Sequence, residues 1–410
     1  MSKKIFLIAG EASGDSLGAS LIHALRTKMP ENSIGFKGVG GPAMEKEGLN
    51  SLLSMKEMTV MGLWEAVSHL PRLFKLRTAI VNEIERYDPD VVITIDFPDF
   101  NFQVASLLKK RGISRAKLVH YVAPTVWAWR PGRAKRISAF LDGLLCLFPF
   151  EPDYFKPHGL DAVFAGHPLI EHKVQKEDAL TLKEALGIPL DTPTIGLFFG
   201  SREEEIKKMG DVLRDTVVIL LEQYPDIQII VPTLPHLEFE VLQRLEGLEG
   251  DVYVIKDQER KWEAFMACDV ALAVSGTVGL ELAYVGIPHV IAYKMHPLSW
   301  LLVRLLVKVK HAHLANILLG RTVVPEFLQK NCHPVKIAQP LLKMLKDGQA
   351  RQKQIDALSG IKGLLTAESG KLPSESAADF ILKIMADEVV DSPDVAQGNV
   401  PESAEVASGH

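Results

Sequence analysis

The 410-residue sequence has little of what marks several common protein classes. Its three cysteines, Cys146, Cys268 and Cys332, lie far apart and include no CxxC pair, which indicates a reducing compartment and argues against a zinc site. A formal net charge of −5 leaves no basic excess to neutralise phosphates, which argues against bulk binding to nucleic acid. The chain contains no GxGxxG and no Walker A sequence, which disfavours a dinucleotide or ATP as the ligand.

Long apolar runs are missing as well. Lys3 and Lys4 precede only the short run 5–9, so the hydrophobic region of a secretory signal peptide is lacking. No uncharged apolar run reaches the length of a membrane span. We therefore expect a cytoplasmic protein that touches a membrane at its surface only.

What the sequence has instead is an alternation of short apolar runs and amphipathic segments. Strands are predicted over 5–9, 34–39, 91–95, 118–122, 143–147, 194–199, 227–231, 252–255, 270–274 and 289–293. Helical patterns fall between them, including 17–28, 70–87 and 102–111. This alternation predicts an α/β protein with two doubly wound parallel sheets, that is, two Rossmann-like domains that face a cleft.

The length also requires more than one domain, because 410 residues are too many for a single core. We expect an N-terminal domain over 1–170, a linker over 171–193, and a second domain over 194–388 whose last helices return to the first. The remaining stretch, 389–410, has no aromatic residue, Lys or Arg and is expected to be disordered.

Two turns in the second half have the composition of phosphate-binding sites. They are Gly200, Ser201 and Arg202 after one predicted strand, and Ser275, Gly276 and Thr277 after another. A helix that opens with small residues leaves backbone N–H groups free and carries a partial positive charge, so it accepts phosphate. Glu281 lies one turn beyond Thr277 on the same face, where it can accept hydrogen bonds from a ribose. The combination predicts a nucleotide-sugar site; taken singly, ordinary helix caps and a solvated glutamate are the alternative.

Two aspartates follow the strand predicted over 91–95. Asp96 lies where that strand ends and has no evident structural role. Asp99 is placed to cap a helix that begins near Phe100, a contribution of about 1 kcal/mol. Since a carboxylate beyond a strand end can act as a general base, Asp96 is the first candidate for catalysis and Asp99 the second.

Two further segments of the first half follow predicted strands. In the loop 10–18, Glu11 or Ser13 could contact a sugar, with helix capping by Ser13 and Asp15 as the alternative. Trp127 and Trp129 place both indoles on one side if the segment is extended, either to stack on a sugar or, more commonly, to fill the core.

A basic cluster comes directly after the tryptophans and suits a phosphate, an anionic membrane or a solvated helix face. Its members are Arg130, Arg133, Lys135 and Arg136. Apolar residues with basic neighbours also predict a helix in a membrane interface, although a core face would show the same pattern. They are Leu63, Trp64, Val67 and Phe74, and a similar pattern spans 297–311.

Together these segments resemble the bacterial lipid A disaccharide synthases, inverting glycosyltransferases of the GT-B fold. The matching segments run in collinear order to about residue 345 and are 9–15, 38–44, 60–62, 96–101, 126–130, 148–151, 200–202 and 275–277 with Glu281. The sequence departs from the family pattern at two turns. Phe199 stands where the family usually has proline before Gly-Ser-Arg, and Ala315 replaces the proline of a Leu-Pro-Asn turn that ends in Asn316.

The resemblance implies a reaction in which UDP-2,3-diacylglucosamine and 2,3-diacylglucosamine 1-phosphate give a β(1→6) disaccharide 1-phosphate and UDP. It places Arg202, the two phosphate turns, Glu281 and Asn316 on the UDP-sugar side, with Glu203, Glu204 and Glu205 expected to point away from the pyrophosphate. It places Glu11, Ser13, Trp127, Trp129 and Arg130 on the acceptor side, and makes Asp96 or Asp99 the base.

The resemblance further implies no metal and no cofactor, and a protein on the cytoplasmic face of the inner membrane. It leaves the choice between monomer and homodimer open. Two other functions are compatible with the sequence. One is another UDP-sugar enzyme of the same fold, such as a UDP-N-acetylglucosamine 2-epimerase, and the other is a non-catalytic protein that binds a lipid or a nucleotide.

Overall fold

Two parallel β-sheets organise the chain in this computed structural model, which describes residues 2–54, 66–112, 115–175, 177–274, 276–307 and 309–386. The first sheet contains β1 (Lys3–Ala9), β2 (Ile34–Gly40), β3 (Asn50–Ser54), β4 (Val91–Ile95), β5 (Lys117–Tyr121), β6 (Gly143–Cys146) and β7 (Asp161–Phe164). The second contains β8 (Thr194–Phe198), β9 (Gln228–Pro232), β10 (Val252–Ile255), β11 (Val270–Val274), β12 (His289–Tyr293) and β13 (Glu326–Leu328). The strand orders are β3-β2-β1-β4-β5-β6-β7 and β10-β9-β8-β11-β12-β13.

The prediction of two doubly wound parallel sheets is thereby confirmed, and each of the ten predicted strands is present. Three strands escaped prediction, β3, β7 and β13, and each lies at the edge of its sheet. An edge strand is covered on fewer sides than a central one, so its sequence can lack a long apolar run, as in these three. β7, for example, begins with the exposed Asp161, whereas all five residues of β4 are buried.

Helices connect the strands and cover both faces of each sheet. In the first half they are α1 (Ala12–Lys28), α2 (Pro42–Lys46), α3 (Ala66–Tyr87), α4 (Pro98–Arg111), α5 (Val126–Trp129) and α6 (Gly132–Ser138). In the second half they are α7 (Glu177–Leu186), α8 (Glu203–Leu221), α9 (Glu238–Leu245), α10 (Lys261–Met266), α11 (Thr277–Val285), α12 (Pro297–Leu306), α13 (Leu314–Leu319), α14 (Pro334–Lys346), α15 (Gly348–Leu358), α16 (Ile361–Leu365) and α17 (Pro373–Ala386). Across the described residues, no helix combines the length and the apolar content that crossing a bilayer requires.

The last described helix, α17, packs on the first sheet rather than the second. Its buried residues Phe380 and Ile381 belong to the same apolar cluster as Leu21 of α1. An ion pair between Lys28 and Asp379, with Nζ and Oδ1 2.8 Å apart, joins the two helices at the surface. The chain therefore crosses between the sheets twice, once before α7 and once before α17.

Candidate functional site

A cavity of about 180 Å³ lies at the carboxyl ends of β8–β11, and we call it the second-domain cavity. Five of the predicted site residues line it, namely Gly200, Ser201, Gly276, Thr277 and Glu281. Parallel strands of a doubly wound sheet end at one edge, so turns about seventy residues apart in sequence meet there. The two predicted phosphate turns and the predicted ribose carboxylate are thus brought together in one cavity.

The first turn has a backbone shape that requires glycine. Gly200 has a φ of 102°, and a Cβ at this position would collide with the carboxylate of Glu205. The N–H of Ser201 donates to Oε2 of Glu205 at 2.9 Å. The expectation that the acidic residues point away is therefore wrong for Glu205, because its carboxylate satisfies a free N–H group at the start of α8.

Glu203 and Glu204 point away from the turn, as expected, and Arg202 lies at the start of the same helix. Glu203 and Glu204 form surface ion pairs, both of them with Lys207. Arg202 is the N-cap residue of α8, its side chain is 78% exposed, and its Nη1 lies 4.0 Å from Oε1 of Glu205. The guanidinium is thus free to turn toward an anion bound at Ser201.

At the second turn, Gly276 is the N-cap residue of α11 and supplies no side-chain cap, so the first N–H groups of the helix are left for another acceptor. Ser275 lies outside the described residues. Glu281 is largely buried, and its Oε1 accepts a hydrogen bond from Nζ of Lys261 at 2.8 Å. Lys261, which also lies over the ring of Trp262, therefore fixes the carboxylate at the cavity wall.

Several residues of this cavity were not predicted from the sequence. Thr233 follows β9, and Gln258 and Lys261 follow β10. Nε2 of Gln258 donates to the carbonyl of Thr233 at 3.0 Å, and Oγ1 of Thr233 is buried without a hydrogen-bond partner among the described residues. Their position just beyond strand ends was the available signal.

The structure contradicts a direct ligand contact for Asn316. Its side chain is fully buried, and Oδ1 accepts from the N–H groups of Val323 and Val324 at 2.8 and 2.9 Å. Nδ2 donates to Val324 O and to Oε1 of Glu326, both at 2.8 Å. Every donor and acceptor of the amide is used within the chain, so Asn316 holds the loop before β13.

The two departures from the family pattern both fit the structure. Phe199 is 2% exposed and fills the core on one side of the second sheet. The N–H of Ala315 donates to Nδ1 of His313 at 2.9 Å, a hydrogen bond that proline could not make. At this turn the lost proline is thus replaced by an N-capping histidine.

A second cavity, of about 300 Å³, lies at the carboxyl ends of β4 and β5, and we call it the first-domain cavity. Its lining includes both candidate bases, Asp96 and Asp99, together with Trp129 and two members of the basic cluster, Arg130 and Arg133. The cavity wall also contains the strained backbone of Val122, which has a φ of 82°. Positive φ values are rare for β-branched residues and cluster at functional sites.

The turn after β4 is strained in the same way. Asp96 and Phe97 have φ values of 49° and 45°. Nδ2 of Asn101 donates to the carbonyl of Asp96 at 2.7 Å and to that of Ile95 at 3.2 Å, which stabilises this shape. The chain thus maintains an unfavourable backbone at the end of a central strand, next to the two aspartates.

The structure exchanges the local roles assigned to those aspartates. Helix α4 begins at Pro98 with Phe97 as its N-cap residue, so the prediction that Asp99 caps it is wrong. Proline is favoured in the first turn of a helix and starts this one earlier than expected. Oδ1 of Asp99 instead lies 2.7 Å from Nη2 of Arg133, and its side chain is 88% exposed. Asp96 does have a structural role, because its Oδ1 accepts the N–H of Phe97 at 2.8 Å.

The two tryptophans separate, because their segment forms the short helix α5 and is not extended. Trp127 is buried, as the core interpretation predicts, and its Nε1 donates to Oε1 of Glu151 at 3.2 Å. Burial raises the pKa of Glu151 to about 7, against the opposing effect of its N–H donors. Trp129 lines the first-domain cavity, with the guanidinium of Arg130 3.9 Å from its ring centroid.

The loop after β1 also differs from expectation. Glu11 is the exposed N-cap residue of α1 and makes no side-chain cap, and Ser13 is exposed within the helix. Neither Ser13 nor Asp15 caps α1, because the helix starts at Ala12. The buried carboxylate of Asp15 caps α2 instead, by accepting N–H groups that include that of Gly41 at 2.8 Å.

Only part of the predicted membrane surface can be located. Leu63 and Trp64 lie outside the described residues, and the side chain of Val67 is likewise not described. Phe74 on α3 is 47% exposed, and the guanidinium of Arg77 lies 4.9 Å from its ring centroid. Among the described residues, no group of His, Cys, Asp or Glu side chains is arranged to hold a metal ion.

Comparisons with known proteins identify a family that matches nearly the whole chain. A family model described as lipid-A-disaccharide synthetase matches residues 5–380. The lipid-A-disaccharide synthase of Rhodospirillum centenum is 41% identical over 386 residues, which cover 94% of this chain and 96% of that protein.

Solved structures share the fold at low sequence identity. The UDP-GlcNAc 2-epimerase of Neisseria meningitidis, solved bound to UDP-GlcNAc, has a TM-score of 0.59 and 11% identity, with coverage of 94% of this chain and 99% of that one. MurG of Acinetobacter baumannii has a TM-score of 0.54 and 12% identity, with coverage of 93% and 100%. At these identities the likeness is one of fold alone.

Proposed function

Because this chain belongs to the lipid-A-disaccharide synthetase family and has the two-sheet GT-B fold, it is a glycosyltransferase of lipid A synthesis, and we propose its substrates and catalytic residues as follows. The donor is UDP-2,3-diacylglucosamine, and the acceptor is the 6-hydroxyl of 2,3-diacylglucosamine 1-phosphate. The products are the β(1→6) disaccharide 1-phosphate and UDP. The observation that carries the proposal is a family match over 5–380, which includes both cavities.

We place the UDP part of the donor in the second-domain cavity. The N–H groups at Ser201 and at the start of α11 would bind the pyrophosphate, and the carboxylate of Glu281 would accept the ribose hydroxyls. To reach Ser201, the pyrophosphate must displace the carboxylate of Glu205. Arg202 would then stabilise the negative charge that develops on the leaving UDP, without a metal ion.

We place the acceptor sugar in the first-domain cavity and assign the base to Asp99. Asp96 was preferred for its position at the strand end and for its lack of a structural role, and the hydrogen bond to Phe97 removes the second of these reasons. Asp99 accepts no hydrogen bond from a backbone N–H among the described residues, and its exposed carboxylate is oriented by Arg133. In a single displacement, Asp99 takes the proton of the 6-hydroxyl while that oxygen attacks the anomeric carbon. The bond from that carbon to the pyrophosphate breaks, and UDP leaves with the electron pair.

The direct test is incubation with the two acylated monosaccharides, followed by mass spectrometry. We expect a disaccharide 1-phosphate and one equivalent of UDP. A UDP-N-acetylglucosamine 2-epimerase would instead interconvert the epimers of its UDP-sugar, and a non-catalytic binding protein would release no UDP. The fold similarity to the epimerase does not favour that activity, because 11% identity shows fold alone.

A pair of substitutions in the second-domain cavity should change UDP affinity in opposite directions. Glu281→Gln should weaken UDP binding by about 1–3 kcal/mol, because a charged acceptor for the ribose is lost. Glu205→Gln should strengthen binding, because an uncharged amide competes less well for the N–H of Ser201 and does not repel phosphate. Isothermal titration calorimetry with UDP measures both.

Each substitution removes one negative charge from the same cavity, so each is a control for the effect of net charge on the other. If both variants bound UDP more tightly, Glu281 would not be a ligand of the ribose. We expect the same affinities with and without EDTA, since the proposed site uses no metal. A UDP affinity that collapsed on chelation would refute the metal-free site.

We also propose that the protein binds the cytoplasmic face of the inner membrane, where its acylated substrates reside. Helix α12 carries Leu301 and Leu305 one turn apart, 55% and 74% exposed, with the exposed Arg304 beside them. An exposed apolar face with basic neighbours suits an anionic bilayer surface. Phe74 on α3, with Arg77 at its ring, offers a second contact of the same kind.

Replacing Leu301 and Leu305 together by Ser should reduce co-sedimentation with vesicles that contain anionic phospholipid. The unfolding temperature should hardly change, because exposed side chains contribute little to the core. The matched control is Phe239→Ser on α9, where the side chain is 72% exposed but the flanking residues Glu238 and Glu240 are acidic. Equal losses of vesicle binding in both variants would contradict a specific role for α12.

A further inference from the structure

A third cavity, of about 860 Å³, lies between α3, α4 and α6, and we call it the basic cavity. Its lining contains five cations, Arg77, Lys110, Arg130, Arg133 and Arg136, and a single acid, Asp99. So many cations in one concavity are unexpected in a chain whose net charge is −5. A concave surface of one sign concentrates its potential on a ligand of the opposite charge.

Most of these cations have no carboxylate partner among the described residues, although Arg77 and Arg130 lie over the rings of Phe74 and Trp129. Only Arg133 has an ion pair, with Asp99; within the described ranges, no carboxylate pairs with the other four. Nε of Arg77 is buried and has no hydrogen-bond partner among the described residues. A buried donor left unsatisfied costs free energy, so an acceptor supplied by a ligand of this cavity would be stabilising there.

Part of the lining of the basic cavity is apolar, and we call this part the apolar wall. It contains Phe102, Leu107, Ile137 and Phe140, with the rings of Phe102 and Phe140 5.7 Å apart. The cavity therefore fits a ligand that carries an anionic group and a hydrocarbon segment together.

The basic cavity adjoins the first-domain cavity. Asp99, Arg130 and Arg133 line both of them. A ligand whose hydroxyl lies at Asp99 can thus extend its other end toward Arg136 and Lys110 without leaving the protein surface.

We propose that the basic cavity binds the phosphate of the acylated sugar acceptor, with hydrocarbon from an acyl chain along the apolar wall. This inference rests on the proposed function, and adds to it the subsite that selects a phosphorylated acceptor. At pH 7 a phosphate monoester carries between about one and a half and two negative charges, which matches unpaired guanidinium groups. A phospholipid headgroup of the membrane has the same chemistry, but the presence of Asp99 in the lining of both cavities favours the substrate.

The test compares two acceptors, 2,3-diacylglucosamine with and without its 1-phosphate, both with short acyl chains and without vesicles. The wild type should prefer the phosphorylated acceptor. In Arg136→Gln and in Lys110→Gln, kcat/KM for it should fall about tenfold or more, while the value for the unphosphorylated acceptor should hardly change. The matched control is Lys135→Gln, since Lys135 is exposed on α6 outside the cavity.

The outcomes separate the two sources of phosphate. If the preference for the phosphorylated acceptor stayed intact while binding to anionic vesicles fell, the cations would serve the bilayer and the inference would be wrong. An unchanged preference with unchanged vesicle binding would overturn it too. Calorimetric binding of the short-chain phosphorylated acceptor gives a readout that needs no turnover. If the wild type bound it through Arg136 but formed no disaccharide, the proposed function would fail and the phosphate subsite would stand.

Discussion

Asp99→Asn should reduce kcat by about 10²–10⁴-fold, the usual contribution of a general base, and should leave UDP affinity unchanged. The amide keeps the shape of the side chain and an oxygen for Arg133, but it cannot take the proton of the acceptor hydroxyl. The unfolding temperature should also stay close to that of the wild type, because Asp99 is 88% exposed and does not cap α4.

Asp96→Asn is the matched control three residues earlier. Asparagine tolerates a φ of 49° and can still accept the N–H of Phe97, so the turn should keep its shape and most of the activity should remain. Asp96→Ala removes that acceptor at a strained position and should lower the unfolding temperature. Loss of turnover in Asp96→Asn, with Asp99→Asn active, would reverse the assignment and make Asp96 the base.

Arg202→Gln should lower kcat by about 10²–10³-fold, the scale found when one group that stabilises developing charge is removed. Its effect on UDP affinity should be smaller, because the guanidinium lies in solvent, 78% exposed, and is expected to contact the diphosphate most closely as the glycosidic bond breaks. Steady-state kinetics with both substrates and calorimetry with UDP give the two quantities.

Arg202→Lys and Lys207→Gln complete this comparison. Lysine restores the charge but not the paired N–H donors, so partial recovery is expected. Lys207 lies on the same helix in ion pairs with Glu203 and Glu204, and its loss should leave kcat unchanged. If Arg202→Gln weakened UDP binding and left kcat intact, the arginine would bind the ground state only.

The central part of the fold was predictable because burial on both faces of a parallel sheet produces continuous apolar runs. Every residue of β4 and of β11 is buried, and both strands appear in the sequence as nearly continuous apolar runs. The strand β13, which was not predicted, has three partly buried residues and forms by pairing with β12. Such a strand is determined by tertiary pairing, which local sequence does not record.

Site residues were predictable where a backbone requirement fixes the residue type. Gly200 at a φ of 102° is such a case, and it marks the turn that lines the second-domain cavity. A motif does not tell a ligand contact from a residue that supports the fold, and for this reason Asn316 was misread. Capping roles depend on the residue at which a helix starts, and a shift at Pro98 was enough to exchange the roles of Asp96 and Asp99.

The two segments in which the chain crosses between its sheets run side by side. The N–H of His167 donates to the carbonyl of Leu365 at 2.8 Å, and that of Ser374 donates to Oε1 of Glu171 at 2.9 Å. Paired crossings restrain the two sheets more than a single tether would, so we expect any relative motion of the sheets to be a rotation about this line. The same pairing means that a fragment cut after residue 170 would lack α17 and expose the apolar surface around Leu21. Such a fragment should regain solubility only when the helix is supplied in trans.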